Sequence, residues 1–328
     1  MNKKIIGKWQ TGFSLVELMV AMLVSLFLSA GLFSMFAMSS SNVATTSQFN
    51  QLQENGRVAL ALIERDVSQA GFMAELTGTN LSVGVNTTIQ ASAIATASDC
   101  VGGVNNASFP VQNSLANFRK IWGYESGVSA KSLGCLSSTL SGTDVLQIKR
   151  LIGPAVTTFN TNSYYMATNL NEAVIFSGNQ AAPSIDNGRF WEYQHHVYFI
   201  QIDNGLPVLM RRTLGVGGMK TTASYEQLVE GVENLRVLYG FDFDGDDSAD
   251  SFMPAANVTS TMWDGSPAQR LVALRVYILV RTLEEDNSYD NDNSYLLGDK
   301  TIAATNDGFR RRVLSSTIVL ENPILVGN

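Results

Sequence analysis

The chain begins polar and basic, then turns apolar for a long stretch. Lys3, Lys4 and Lys8 precede Gly12 with no acid among them, and from Gly12 onward the one charged residue before Glu54 is Glu17. Leu18 to Met38 is a run of 21 residues without a charge. That is long enough for a helix to cross a bilayer, and the lysines predict that its start lies on the cytoplasmic side. Further on, Phe49, Leu52, Gly56, Ala59, Ile63, Val67 and Ala70 recur at spacings of three and four, one apolar stripe of a helix. No proline occurs before Pro110. The pattern therefore predicts one helix from Phe13 to about Ala70, about 87 Å long at about 1.5 Å per residue, ended by glycine at Gly71-Phe72. Gly31 and Ser34 are its weak points.

The periodicity then changes. From Gly71 to about Gly142 the chain is rich in Ser, Thr, Asn, Ala and Gly, which predicts long loops with short strands. Asp144 to Leu151, Ala173 to Phe176 and His196 to Ile202 read as strands. Asp203-Asn204-Gly205 followed by "LPVLMRRTL" signals a hairpin, with Asn-Gly supplying the positive φ that a type I′ turn needs. In "RLVALRVYILVR", Val272, Leu274, Val276, Ile278 and Val280 share one face, while Arg275, Tyr277 and Arg281 lie on the other. This alternation fits a half-buried antiparallel strand in a sheet covered by the helix. The fold class expected is α+β, a long N-terminal helix (residues 13–70, with 13–38 in membrane or filament core) packed on an antiparallel β-sheet domain (71–328).

Charge and cysteines narrow the picture. A net charge of −7 with pI near 4.9 argues against a nucleic-acid surface, which needs clustered Lys and Arg. The one dense basic cluster, Arg310, Arg311 and Arg312, reads as a solvated strand edge. Cys100 and Cys135, the two cysteines of the chain, enclose a loop-like segment and are expected to form a disulfide. In the chain-entropy model that stabilises by roughly 3 to 4 kcal/mol, and it persists in an oxidising compartment such as the periplasm. The alternative is two free buried thiols. His195 and His196, being adjacent on a strand, point to opposite faces and do not chelate one ion together. No nucleophile elbow is present, and no enzymatic role is expected.

Glu17 is the residue an ordinary membrane segment does not explain. A cleaved secretory signal and a plain anchor both account for the apolar run, yet an acid near its start is costly in lipid unless neutralised or paired. Gly12-Phe13-Ser14-Leu15-Val16-Glu17 ahead of a long apolar helix resembles the class III leader of type IV pilins. The resemblance implies cleavage after Gly12 by a membrane prepilin peptidase, N-methylation of the new terminus at Phe13, and a leader of residues 1–12. It also implies that Glu17 pairs with the Phe13 α-ammonium of a neighbouring subunit and so sets subunit registry.

Asp242-Phe243-Asp244-Gly245-Asp246-Asp247-Ser248-Ala249-Asp250 places carboxylates at positions one, three, five and nine of a loop. That spacing suits a hard cation such as Ca²⁺, with Asp242, Asp244, Asp246 and Asp250 as ligands. Asp247 stands where an EF-hand has glycine and Met253 where it has glutamate, so this is not an EF-hand. The alternative is an exposed acidic turn. The segment Leu228 to Asp250, then "RLVALRVYILVR", then Asn306 to Val313 leading into "SSTIVLEN", is similar to the W-type minor pilins, the PilW family.

That resemblance implies a non-enzymatic minor pilin that primes assembly of a type IV pilus and is incorporated at its tip. Its partners would be other minor pilins, the major pilin, the inner-membrane assembly platform and a tip adhesin. The chain would sit single-pass in the bacterial inner membrane with a periplasmic globular domain, and be extracellular once assembled. The rivals are a J-type pseudopilin of type II secretion, a membrane-anchored periplasmic binding module and an anchored hydrolase.

Overall fold

The computed structural model describes residues 12–219, 225–265, 268–320 and 322, without the side chains of residues 41 and 44. The expected leader lysines Lys3, Lys4 and Lys8 lie outside the described residues. The chain divides into two compact units, Met1–Asn50 and Gln51–Asn328.

Helix α1 runs from Leu15 to Ser68. It is continuous through Gly31 and Ser34 and stops two residues short of the expected Ala70. Gly71 then takes φ +78°, a left-handed conformation that glycine adopts without a Cβ penalty. In the first unit every described side chain from Phe13 to Val43 is exposed.

In the second unit the helical stripe is buried as expected, with Leu52, Ala59, Ile63, Val67 and Ala70 each at 1% exposure or less. Gly56 is the close-approach point. A Cβ there would stand 2.6 Å from Leu314 Cδ1 and 3.4 Å from Val280 Cγ2. The segment from Gly71 to Gly142 is mostly loop, with one short strand near each end of it, and Cys100 and Cys135 are bridged across a sequence separation of 35.

The helix meets two sheets rather than the single sheet expected. The larger has eight strands: β1 (Thr87–Ile89), β2 (Ile121–Glu125), β3 (Asp144–Val156), β4 (Tyr164–Thr168), β5 (Ala173–Ser177), β6 (Arg189–Asp203), β7 (Leu206–Thr213) and β8 (Tyr225–Glu230). All its pairings are antiparallel except β1 with β5. The β6–β7 turn holds Asn204 at φ +47° and Gly205 at φ +81°, the two positive φ values that the Asn-Gly signal required.

The second sheet has the order β10 (Ser251–Pro254), β9 (Val232–Asp242), β11 (Arg270–Arg281) and β14 (Arg311–Val319), all antiparallel. A small hairpin of β12 (Tyr295–Leu297) and β13 (Lys300–Ile302) stands beside it. On β11, Val272, Leu274, Val276, Ile278 and Val280 are buried as expected; on the other face Arg275, Tyr277 and Arg281 are half-buried, but Leu271, Ala273 and Leu279 are buried too, so the strand is covered more fully than the expected half.

The solvated edge expected of Arg310 to Arg312 is corrected by the structure for two of the three. Arg311 donates to both oxygens of Glu233 (2.5 and 2.9 Å) and both of Asp307 (2.6 and 2.7 Å), its side chain 2% exposed. Arg310 binds Asp286 at 2.8 Å and lies over the Tyr289 ring. Arg312 alone is exposed. Glu233 and Asp286, distant in sequence, together with Asp307 four residues from Arg311, convert a basic run into anchors.

Candidate functional site

The N-terminal site is built by local chemistry. Ser14 ends the non-helical entry, its Oγ accepting from Val16 N–H at 3.3 Å, and Glu17 accepts a 2.9 Å hydrogen bond from Ser14 N–H. Ser-x-x-Glu in this arrangement is a capping box, worth about 1 kcal/mol where it closes a helix start. Phe13 is 88% exposed, and nothing lies within 4 Å of a Cβ placed on Gly12. The cleavage point expected between these two residues therefore stands clear of the described residues of its own chain. In this structure Glu17 is a local cap, a role that the leader resemblance did not point to.

The acidic loop closes the β9–β10 hairpin. Asp242 Oδ1 accepts from Asp244 N–H at 3.1 Å and Gly245 N–H at 2.6 Å, and its Oδ2 accepts from Asp247 N–H at 3.0 Å. Oxygens of Asp242, Asp244 and Asp250 lie within 4.8 Å of one another. Asp246, the fourth expected ligand, is not in that group; it accepts from Ser248 N–H at 2.7 Å. Asp247 adopts φ +66°, the left-handed conformation that glycine supplies in an EF-hand loop.

Sequence spacing missed Arg270, at the start of β11. Its guanidinium donates to Asp242 Oδ2 at 2.5 Å and pairs with Asp247 at 2.8 Å. Burial pushes the Asp242 carboxyl up, but the loop N–H groups and Arg270 outweigh it and hold it at about 2.

The adjacent histidines do point to opposite faces of β6. His196 Nδ1 lies 2.6 Å from Asp66 Oδ2, on the helix side. Asp66 also accepts from Arg150 Nε at 2.6 Å and Tyr198 Oη at 2.9 Å. Burial raises the Asp66 carboxyl, yet His196 and Arg150 together bring it well below the carboxylate range. An acid inside the apolar stripe, next to Val67, was the overlooked signal. His195 turns away from the helix, its Nδ1 3.0 Å from Ser108 Oγ and its Nε2 2.7 Å from the Gln147 amide. Both rings are enclosed by structural partners.

Two stretches of the chain match known families. Residues 10–33 match the prokaryotic N-terminal methylation motif, which spans Gly12, Phe13 and Glu17. Residues 197–322 match type IV pilus-assembly protein W, covering the C-terminal part of β6, the acidic loop and the whole second sheet. No curated protein and no solved structure matches the chain. A methylation motif at the start of one long apolar helix, together with W-type strands around an antiparallel sheet, supports a PilW-type pilin with a class III leader.

Proposed function

We propose that this type IV pilus-associated pilin is a minor, non-enzymatic subunit that primes pilus assembly in the inner membrane and is incorporated at the filament tip. The observation that carries the reading is the exposure of every described side chain from Phe13 through the helix to Val43. So large an apolar surface requires burial in lipid before assembly and among other helices after it.

The second unit, Gln51–Asn328, supports a terminal place. A domain of this size has a radius of gyration of about 19 Å, whereas packed helices lie about 8 to 10 Å apart. Heads this wide crowd one another at one level of a filament, and an end position relieves that. Prepilin peptidase, the assembly platform, other minor pilins, the major pilin and a tip adhesin are the partners of this proposal.

Gold labelling of the head on intact pili tests it. Label confined to filament ends is expected, and label along the shaft contradicts tip placement. A J-type pseudopilin predicts loss of type II secretion on deletion with pili unaffected.

Calcium at the acidic loop, with Asp242, Asp244, Asp246 and Asp250 as ligands, is proposed as well. The convergence of three of these carboxylates supports it. Arg270 is the rival cation, since it already neutralises Asp242 and Asp247.

A further inference from the structure

The face of the larger sheet turned away from the helix carries a buried amine that has no counter-ion beside it. Lys149, on β3, is 0% exposed. Its Nζ lies 3.4 Å from Asn106 Oδ1 and 4.3 Å from the centroid of the Phe118 ring. Among the described residues no carboxylate forms an ion pair with it; of the charged groups acting on it, Asp99 leads, followed by Arg119 and Lys120.

A lone ammonium in such a place is expensive, so burial pushes Lys149 well below its ordinary value and favours the neutral amine. Asn106 is equally enclosed, at 0% exposure, and its Nδ2 has no hydrogen-bond partner. Its backbone is held by Gln147, which donates to Asn106 O at 3.5 Å and to Cys100 O at 3.2 Å. Asp99 is fixed by Ser108, whose N–H and Oγ both donate to Oδ1, at 2.9 and 2.5 Å.

From this juxtaposition of a buried amine and an unpartnered amide, we infer that Lys149 and Asn106 form an intramolecular isopeptide bond. Lys149 Nζ attacks Asn106 Cγ, the Nζ–Cγ bond forms and the Cγ–Nδ2 bond breaks. The proton lost from Nζ is taken up by Nδ2, which leaves as ammonia. No oxidant, metal or second substrate is needed. The reaction converts a buried amine into a neutral amide and ties the loop carrying Cys100 to strand β3. Phe118 over the amine and the enclosure of the pair exclude water, which favours amide formation over hydrolysis.

The test is tryptic mass analysis of the full-length chain extracted from membranes. Cys100 and Cys135 must be reduced first, because the disulfide joins the same two fragments. Asn106 lies in the fragment 66–119 and Lys149 in the fragment 132–150 if cleavage after Lys149 is blocked.

The expected result is a single linked species lighter than the two fragments by one ammonia, formed completely in the wild type and absent from Lys149→Arg. Asn106→Asp should yield the identical linked mass by losing water instead. Unlinked fragments from reduced, folded wild-type protein overturn the inference, whether at full mass or with ammonia lost from the Asn106 fragment alone, as a succinimide gives.

Discussion

The carboxylate of Glu17 accepts the backbone N–H of Ser14 at 2.9 Å, one residue from the terminus that leader cleavage would create. Capping and intersubunit pairing therefore compete for the same side chain, and two substitutions separate them. Gln retains the capping acceptor and removes the charge, whereas Ala removes both. If the charge pair with a neighbouring Phe13 ammonium drives incorporation, Glu17→Gln and Glu17→Ala should both lower the subunit's abundance in sheared pili by at least about tenfold, the equivalent of about 1.4 kcal/mol. Wild-type incorporation of Glu17→Gln would reduce Glu17 to a helix cap.

Asp66 ties the helix to the larger sheet through Arg150, His196 and Tyr198. Asp66→Ala leaves the Arg150 guanidinium buried without its carboxylate and should cost about 3 to 5 kcal/mol. Urea unfolding followed by tryptophan fluorescence reads this, since Trp122, Trp191 and Trp263 all lie in the head.

The same carboxyl sets a pH dependence. Its folded value lies below the ordinary 3.8, so its contribution is fully present above that value and is lost as pH falls below it. Asp144 has the opposite sign: burial, outweighing Arg236 and the Val237 N–H, raises it to about 6. Its contribution is largest below about 3.8 and is lost as pH rises through about 6. Wild-type unfolding midpoints should therefore fall in acid below about pH 4, and Asp66→Asn should flatten that limb. An unchanged acid limb in Asp66→Asn would remove Asp66 from the account.

Gly56 lets the helix approach β11 and β14. Gly56→Val places branched carbons against Leu314 and Val280 and should destabilise the head by about 1 to 3 kcal/mol through overpacking. Thermal unfolding measures it, and an unchanged midpoint would mean that the helix shifts freely on the sheet.

Titration with millimolar Ca²⁺ in a calorimeter tests the acidic loop. If the ion displaces Arg270 from Asp247, Arg270→Ala should change the affinity measurably, whereas no heat in either protein rejects the ion outright.

The helix, its terminator, the β6–β7 turn, strand β11 and the disulfide were legible in the sequence because each rests on local periodicity or on a residue with one dominant use. What was hidden was long-range. Asp66 reads as a flaw in an apolar stripe until Arg150 and His196 arrive from strands far along the chain, and Arg311 reads as a solvated charge until Glu233 arrives from β9. Arg270 beside Asp242 follows from the register of β9 against β11, which no spacing rule exposes. The motif at Gly12 to Glu17 was legible as a leader, whereas the cap that Glu17 makes on Ser14 went unread in the Ser-x-x-Glu spacing.

The central claim is that Gly12 and Phe13 flank a processed junction. Mass analysis of the N-terminal fragment of the protein purified from sheared pili tests it most directly. A fragment beginning at N-methylated Phe13 is predicted, and one beginning at Met1 with the leader intact would contradict the account.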